Sequence, residues 1–458
     1  MRVALFVLFS IVNAYASVYN IKEYGAKGDK ETNDAPYIQA AIDACHESGG
    51  GTVFVPAGDF LSGALQLKDH VSIELASGAT LWVSRNPDHF PEQTRGVLFA
   101  ANGASHISIV GEGRIHGQGE EDYRRRKDVQ YEPLSFRTGI FLLQECDFVT
   151  IRDIKIEYSD AWTIHLKRCE RVLIDGVTIF NNIFRVNSDG IDPNSCRDVR
   201  ISNCHIVAGD DCIVLKSTEP YPCENIVVNN CILESTSAAL KIGTESHGDF
   251  RDIHFSNITI PNARIGCGFN LKDGATIERI TFSDISIQSS QPEWIRQNAY
   301  PIHMDIEKRS KDSKIGMIRD VSFSNIQIFT DSKILIQGMP ESPLENVSFD
   351  HMTLRITNPR DFSDYHKHVG GRRYTSGIRD TLYARQPNYM TFAHIKGLSL
   401  SHIRILADRK DQPASENKGF SAHHIKRFTA ENIDVDPDLV DTSEPWFRLE
   451  ECVLVNGF

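Results

Sequence analysis

The 458-residue chain lacks several things, and each absence excludes something. It has no low-complexity tract, and 41% apolar with 24% charged residues excludes wholesale disorder. Beyond the N-terminus no apolar run is long enough to span a bilayer. Basic residues are in deficit: 49 Lys and Arg against 61 Asp and Glu give a net charge of −12. Nucleic acid is held through a basic footprint, so a general nucleic-acid partner is excluded. An acidic polymer stays admissible as a substrate if it meets a locally basic cleft. There is no CxxC pair and no HxxxH, the spacings that gather zinc.

The N-terminus reads as an export signal. Arg2 precedes an apolar run from Val3 to Val12, then the small-x-small site Ala14-Tyr15-Ala16. The expectation is a signal peptide over 1–16, a mature domain over 17–458 and a secreted or periplasmic protein. The alternative is a buried first strand. Ten cysteines in an exported protein would ordinarily mean disulfides.

A repeat argues otherwise and decides the fold class. CDFVTIRDIKI from Cys146 recurs as CERVLIDGVTI from Cys169, CRDVRISNCHI from Cys196 and CENIVVNNCIL from Cys223. FRDIHFSNITI from Phe250, IERITFSDISI from Ile277 and IRDVSFSNIQI from Ile318 continue it. Weaker copies start at Leu344, Ile395 and Ile425. The central steps are 27 residues and the longer ones imply inserted loops. Each copy alternates apolar and polar with period two, the strand signal. Such a unit buries its apolar face only by stacking on its neighbours. The reading is all-β: a single-stranded right-handed parallel β-helix of about ten coils, with an N-terminal capping helix. A β-propeller is the rival, but its blades need about 40 residues each.

Three details follow. Asn203, Asn230, Asn257, Asp284, Asn325 and Asn432 recur seven residues into their copies, which predicts a turn ladder. The sequon Asn257-Ile258-Thr259 falls in that ladder. Cys146, Cys169, Cys196 and Cys223 form one column, read as free thiols facing the core. The region about 18–79 reads as the cap, with a helix over Ala35 to Cys45. An insertion over 358–389 either walls one end of a cleft, favouring attack at a chain end, or forms a surface excursion or subunit contact.

Candidate chemistry gathers in adjacent coils. Aligning Ile191 with Ile213 stacks Asp189 on Asp211, with Asp210 beside it. Gathered carboxylates repel, and a fold tolerates this for a ligand, a metal or a shifted pKa. Glycosidic hydrolysis needs one carboxyl that keeps its proton and one that does not. An inverting pair stands about 6.5–9.5 Å apart. Asp192, followed by Pro193, reads as a turn residue. Downstream, aligning Leu240, Phe269 and Ile302 puts Lys241, Asn270 and His303 in one column. Lys216, Lys241 and Lys272 supply local positive charge. His303, Asp305, Glu307 and Arg309 share a strand face.

These motifs resemble glycoside hydrolase family 28, the polygalacturonase-like parallel β-helices. YGAKGD at Tyr24 to Asp29 resembles the start of that superfamily. NSDGID at Asn187 to Asp192 resembles its NTDGID motif, and GDDCIVLKS at Gly209 to Ser217 its DDCIAIKS motif. The resemblance implies a secreted inverting hydrolase of an acidic, pectin-related glycan, needing no metal or cofactor. It implies Asp210 as general acid, Asp189 and Asp211 as holders and activators of the water, and Asn187 as a contact to substrate or an orienter of Asp189. Two departures stand out. The family's GHG is Ser237-Ala238-Ala239 here, with His247 in the following loop as a candidate replacement. Its RIK is Asn270-Leu271-Lys272, which keeps the lysine and loses the arginine. An amide does not replace a bidentate guanidinium, so plain homogalacturonan is a doubtful substrate. The candidate substrate contacts are Asn187, Lys241, His247, Asn270, Lys272 and His303. The expected partner is a polysaccharide or oligosaccharide met by a monomer, an oligomer not being excluded. The competing readings are a calcium-dependent polysaccharide lyase and a non-catalytic carbohydrate-binding protein.

Overall fold

A computed structural model describes residues 17–94, 96–120, 136–292, 295, 298–358, 360–362, 365, 383–408, 417–440 and 445–457. The signal segment 1–16 and residues 366–382 of the insertion lie outside them. Alternation of apolar and polar residues makes short strands, and every coil lays down three of them. Parallel pairing stacks them into three sheets that wrap one core. The molecule is a right-handed parallel β-helix. In one sheet Asp147–Arg152, Glu170–Asp175 and Arg197–Ser202 follow one another, so that Ile151, Ile174 and Ile201 stack in register. In the same column farther on, Phe255, Phe282, Phe323 and Phe349 stack ring on ring, with centroids 4.7, 4.8 and 4.8 Å apart. That is the spacing of the strands themselves. Each buried ring contributes roughly 1.5–3 kcal/mol of hydrophobic stabilisation.

Turns between strands repeat as faithfully. Asn203, Asn230, Asn257, Asp284 and Asn325 all have φ between 51° and 57°, a region that Asn and Asp enter at least cost. Their side chains bond from rung to rung: Asn230 Nδ2 donates to Asn203 Oδ1 at 3.3 Å, and Asn257 Nδ2 to Asn230 Oδ1 at 2.7 Å. The sequon asparagine is therefore a ladder residue. All ten cysteines are free thiols. Within the column the Cys169 thiol donates to the Leu143 carbonyl at 3.2 Å and the Cys196 thiol to the Leu166 carbonyl at 3.4 Å.

The stack is longer than the ten copies legible in the sequence. It already includes Val18–Asn20, Gly51–Val55, Val71–Leu75 and Ser105–Gly111, and it ends on Val453–Gly457. Corners of the early rungs use other residues, such as His70 and His106 at φ 62° and 54°, so the Asn signature is missing there. The helix spans Ala35–Glu47 and buries Ile38, Ala41, Ile42 and Cys45. It lies against Val18–Asn20 and Gly51–Val55, at the start of the stack.

The insertion is tied down at its described residues. Arg360 pairs with Asp331 at 2.6 Å, and the Tyr365 hydroxyl lies 2.6 Å from that of Ser332. The buried Lys333 ammonium donates to the Gln386 carbonyl at 2.7 Å. Asn230→Ala breaks the corner ladder and forces a Cβ-bearing residue without a compensating bond into the left-handed region. It is expected to lower stability by about 1–2 kcal/mol, and Asn230→Gly by less, as read by thermal melting.

Candidate active site

The third sheet runs through Ile164–Lys167, Ile191–Asn194, Ile213–Ser217, the 240–246 part of Cys223–Ser246, and Tyr300–Ile306. Ile164, Ile191, Ile213 and Leu240 share one register. Counting back two residues places Trp162, Asp189, Asp211 and Ala238 in one column at the sheet's edge. Backbone bonds hold it: Thr163 N–H donates to the Asp189 carbonyl and Cys212 N–H to the Ala238 carbonyl, each at 2.9 Å. The column continues through Ile265 to Tyr300.

One oxygen from each of Asp189, Asp210 and Asp211 lies within 4.8 Å of the other two. These oxygens are closer than the separation expected for an ordinary inverting pair. Asp189 and Asp211 are each 2% exposed, whereas Asp210 is only partly buried. Lys241 Nζ sits 2.6 Å from Asp211 Oδ2, and the Ala238 N–H donates to Asp211 Oδ1 at 3.2 Å. Lys216 Nζ sits 3.6 Å from Asp189 and 3.5 Å from Asp192. Asn187 adopts φ 51° and donates its N–H to Asp210 Oδ2 at 3.1 Å. The Arg137 guanidinium donates to Asn187 Oδ1 at 3.3 Å and to the Val186 carbonyl at 2.5 Å. It also pairs at 3.5 Å with the buried Asp160, which holds Arg185 and Arg85 as well.

Charge and burial divide the carboxyls. Burial, and then the neighbouring Asp192 and Asp210, push Asp189 well above the usual carboxylate range. Burial also pushes Asp192 up to about 7, against the pull of Lys216. Burial would raise Asp211 too, but the Lys241 and Lys216 ammonium groups outweigh it and hold Asp211 low. Burial opposes the charge on Lys216, yet Asp189 and Asp192 outweigh it and bind its proton more firmly. The cluster therefore holds a proton on one carboxyl beside an ionised one. The three aspartates are also the donors that a divalent cation would need, but two ammonium groups already answer their charge.

Several sequence expectations change. Asp192 is no turn residue: it is fully buried in a strand and faces Lys216. Lys241 and His303 do share a column, with Gly268 between them. Asn270 does not belong to it; it stacks between Gly243 and Asp305. The register counted from Leu240, Phe269 and Ile302 slips by two residues, which keeps every side chain on its face and so leaves no trace in the pattern. Lys272 is buried and paired with Glu307 at 2.9 Å. His247 is half exposed and lies 3.8 Å from Asp273, which Arg309 holds at 2.6 Å. His303 is buried against Tyr300, ring centroids 4.8 Å apart. Trp162 and the Asp160–Arg137 pair were not singled out in the sequence, because neither carries a motif. Only the register places Trp162 next to Asp189.

Residues 45–367 match the profile of the glycosyl hydrolases family 28. The chain belongs to that family. A probable polygalacturonase from Vitis vinifera is 24% identical over 380 residues, 76% of this chain and 76% of its own length. Two solved folds are also similar. An exopolygalacturonase from Thermotoga maritima has a TM-score of 0.65 at 21% identity, covering 74% of this chain and 87% of its own. A family 28 exopolygalacturonase from Yersinia enterocolitica has a TM-score of 0.64 at 18% identity, covering 94% and 80%. This family 28 chain is thus an O-glycosyl hydrolase.

Two outcomes follow from the charge arrangement. Asp192→Asn removes a carboxyl that ionises near 3.8 when unfolded and near 7 when folded. Between those values the folded state binds more protons, so wild-type stability falls as pH rises. Asp192→Asn is expected to escape that loss, its melting temperature pulling ahead of wild type from pH 4 to 7 and levelling off above. Lys241→Met removes the ammonium that keeps Asp211 ionised. The Asp211 pKa then rises, and the acid limb of the pH–rate profile moves to higher pH.

Proposed function

We propose that this chain hydrolyses a glycosidic bond in a pectic, uronate-bearing polysaccharide or an oligosaccharide derived from one. It acts from a chain end and by single displacement with inversion. Asp210, the most accessible of the three carboxyls, delivers a proton to the leaving oxygen. Asp189 and Asp211 hold the attacking water, and Asp211, the one that Lys241 keeps ionised, takes up its proton. Two acceptors each about 2.8 Å from a shared water stand about 4.6 Å apart, a separation that fits within the 4.8 Å inside which these oxygens lie. That gathering of three aspartates against two lysines is the observation that carries the reading. Asn187 orients Asp210 and meets the substrate. Lys241, Asn270 and His303 lie on successive downstream rungs, with His247 farther along the first of them and Lys272 farther along the second.

Attack from a chain end is supported by the exopolygalacturonases among the relatives and by the insertion. Tyr365 packs edge-on against Tyr300 at 5.6 Å, where the aspartate column ends. A polymer laid along the column meets that wall. Export through residues 1–16 and work as a monomer outside the cytoplasm complete the proposal.

The test is hydrolysis of a panel of pectic and other acidic glycans by the mature protein and Asp210→Asn. New reducing ends are expected without ultraviolet-absorbing product, and Asp210→Asn is expected to lose about 10²–10⁴-fold of the rate with its fold intact. Proton NMR of the first-formed product should show the inverted anomer. An ultraviolet-absorbing product would replace hydrolysis by β-elimination, and a retained anomer would rule out single displacement. Release of short products only, from the first minutes, is the signature of attack at a chain end.

A further inference from the structure

One rung before the carboxylates the aspartate column holds Trp162, and it runs on upstream through Gly139 and Val97. Its indole is half-buried, and Asp189 is the next residue along the column. The Lys216 ammonium lies over the ring, 4.5 Å from its centroid. The His165 ring meets it edge-on at 4.8 Å. Lys216 is buried and anchored in turn by Asp189 and Asp192. The indole is thus fixed by its neighbours while part of it stays exposed beside the carboxylates. The opposite end of the column differs. Tyr300 is 4% exposed there, covered by Tyr365 from the insertion. Between these two residues the column passes from a half-buried aromatic ring, past the acids, to a buried one.

We propose that Trp162 is a sugar-stacking platform on the side from which the polymer enters, one rung before the cleaved bond. This rests on reading Asp189, Asp210 and Asp211 as the hydrolytic centre. A pyranose ring presents axial C–H groups as an apolar face while its hydroxyls and carboxylate project from the rim. An indole face matches the first, and water or polar side chains serve the second. One rung is about 4.8 Å, close to the length of one sugar unit, so adjacent units fall on adjacent rungs. Fixing the ring with Lys216 and His165 removes most of the freedom that binding would otherwise freeze out. Stacking of this kind holds the part of the substrate that does not react, and it acts on affinity for long chains more than on the chemical step.

The test uses galacturonate oligosaccharides of increasing length, both plain and bearing pectic side chains, and the full chain. They are titrated into Asp210→Asn protein, alone or with Trp162→Ala or Trp162→Phe, by calorimetry and tryptophan fluorescence. Trp162→Ala is expected to bind long oligomers about tenfold more weakly and the disaccharide unchanged. Trp162→Phe is expected to recover most of the loss. The fluorescence change on binding should vanish with Trp162, although the chain's three other tryptophans remain. With Asp210 intact, Trp162→Ala should raise KM for long oligomers and leave kcat within about twofold. Equal loss at every length, a fall in kcat at constant KM, or a fluorescence change that survives Trp162→Ala would overturn the proposal. If the wild type cleaves these oligomers and Trp162→Ala binds them normally, the platform fails and the hydrolase stands. If the wild type shows the Trp162 signal and cuts no bond, the hydrolase reading fails and the platform stands.

Discussion

Each coil rests on the next through parallel backbone hydrogen bonds, which hold neighbouring strands about 4.8 Å apart. Everything else in the molecule inherits that distance. It sets the ring-to-ring spacing of Phe255, Phe282, Phe323 and Phe349, and the reach of the Asn257 amide to Asn230. It also sets the cleft. Asp189 and Asp211 come close because they occupy one position in successive rungs, and Asp210 joins them as the residue alongside. No loop has to fold back to assemble the centre.

The same regularity concentrates charge. Asp189, Asp192 and Asp211 are buried, and Lys216 and Lys241 lie among them. A buried carboxyl with ionised neighbours is unfavourable, and removing one ammonium leaves its partner uncompensated. The cluster weakens the fold locally, and the long hydrophobic core on either side offsets the loss. Depth sorts the roles. Asp211 is kept ionised by Lys241, whereas Asp210 lies nearer the surface and is bonded by the Asn187 N–H.

Much of this was legible in the sequence. Period-two alternation and the 27-residue step gave the solenoid, and matching Ile191 to Ile213 placed Asp189 over Asp211. The limits were physical. Early rungs keep the alternation but turn their corners on residues such as His70, so they did not look like copies. A slip of two residues at Asn270 preserved which face it occupies, so only the backbone pairing revealed it. Asp192 resembled a turn because Pro193 follows it. That proline sits in a strand whose other residues carry the pairing, and Asp192 points its carboxyl at a lysine from the next rung. Trp162 carried no motif, and its significance comes wholly from what stands beside it.

The thiol column has a consequence for how the protein is made. Cysteines stacked at strand spacing invite cross-linking, yet each of the ten remains a thiol, and nine are buried. Stability thus comes from hydrogen-bonded rungs and packing, without any oxidised bond. Folding makes no call on oxidoreductases or on the redox poise of a compartment. A host that forms no disulfides is therefore enough to build this fold.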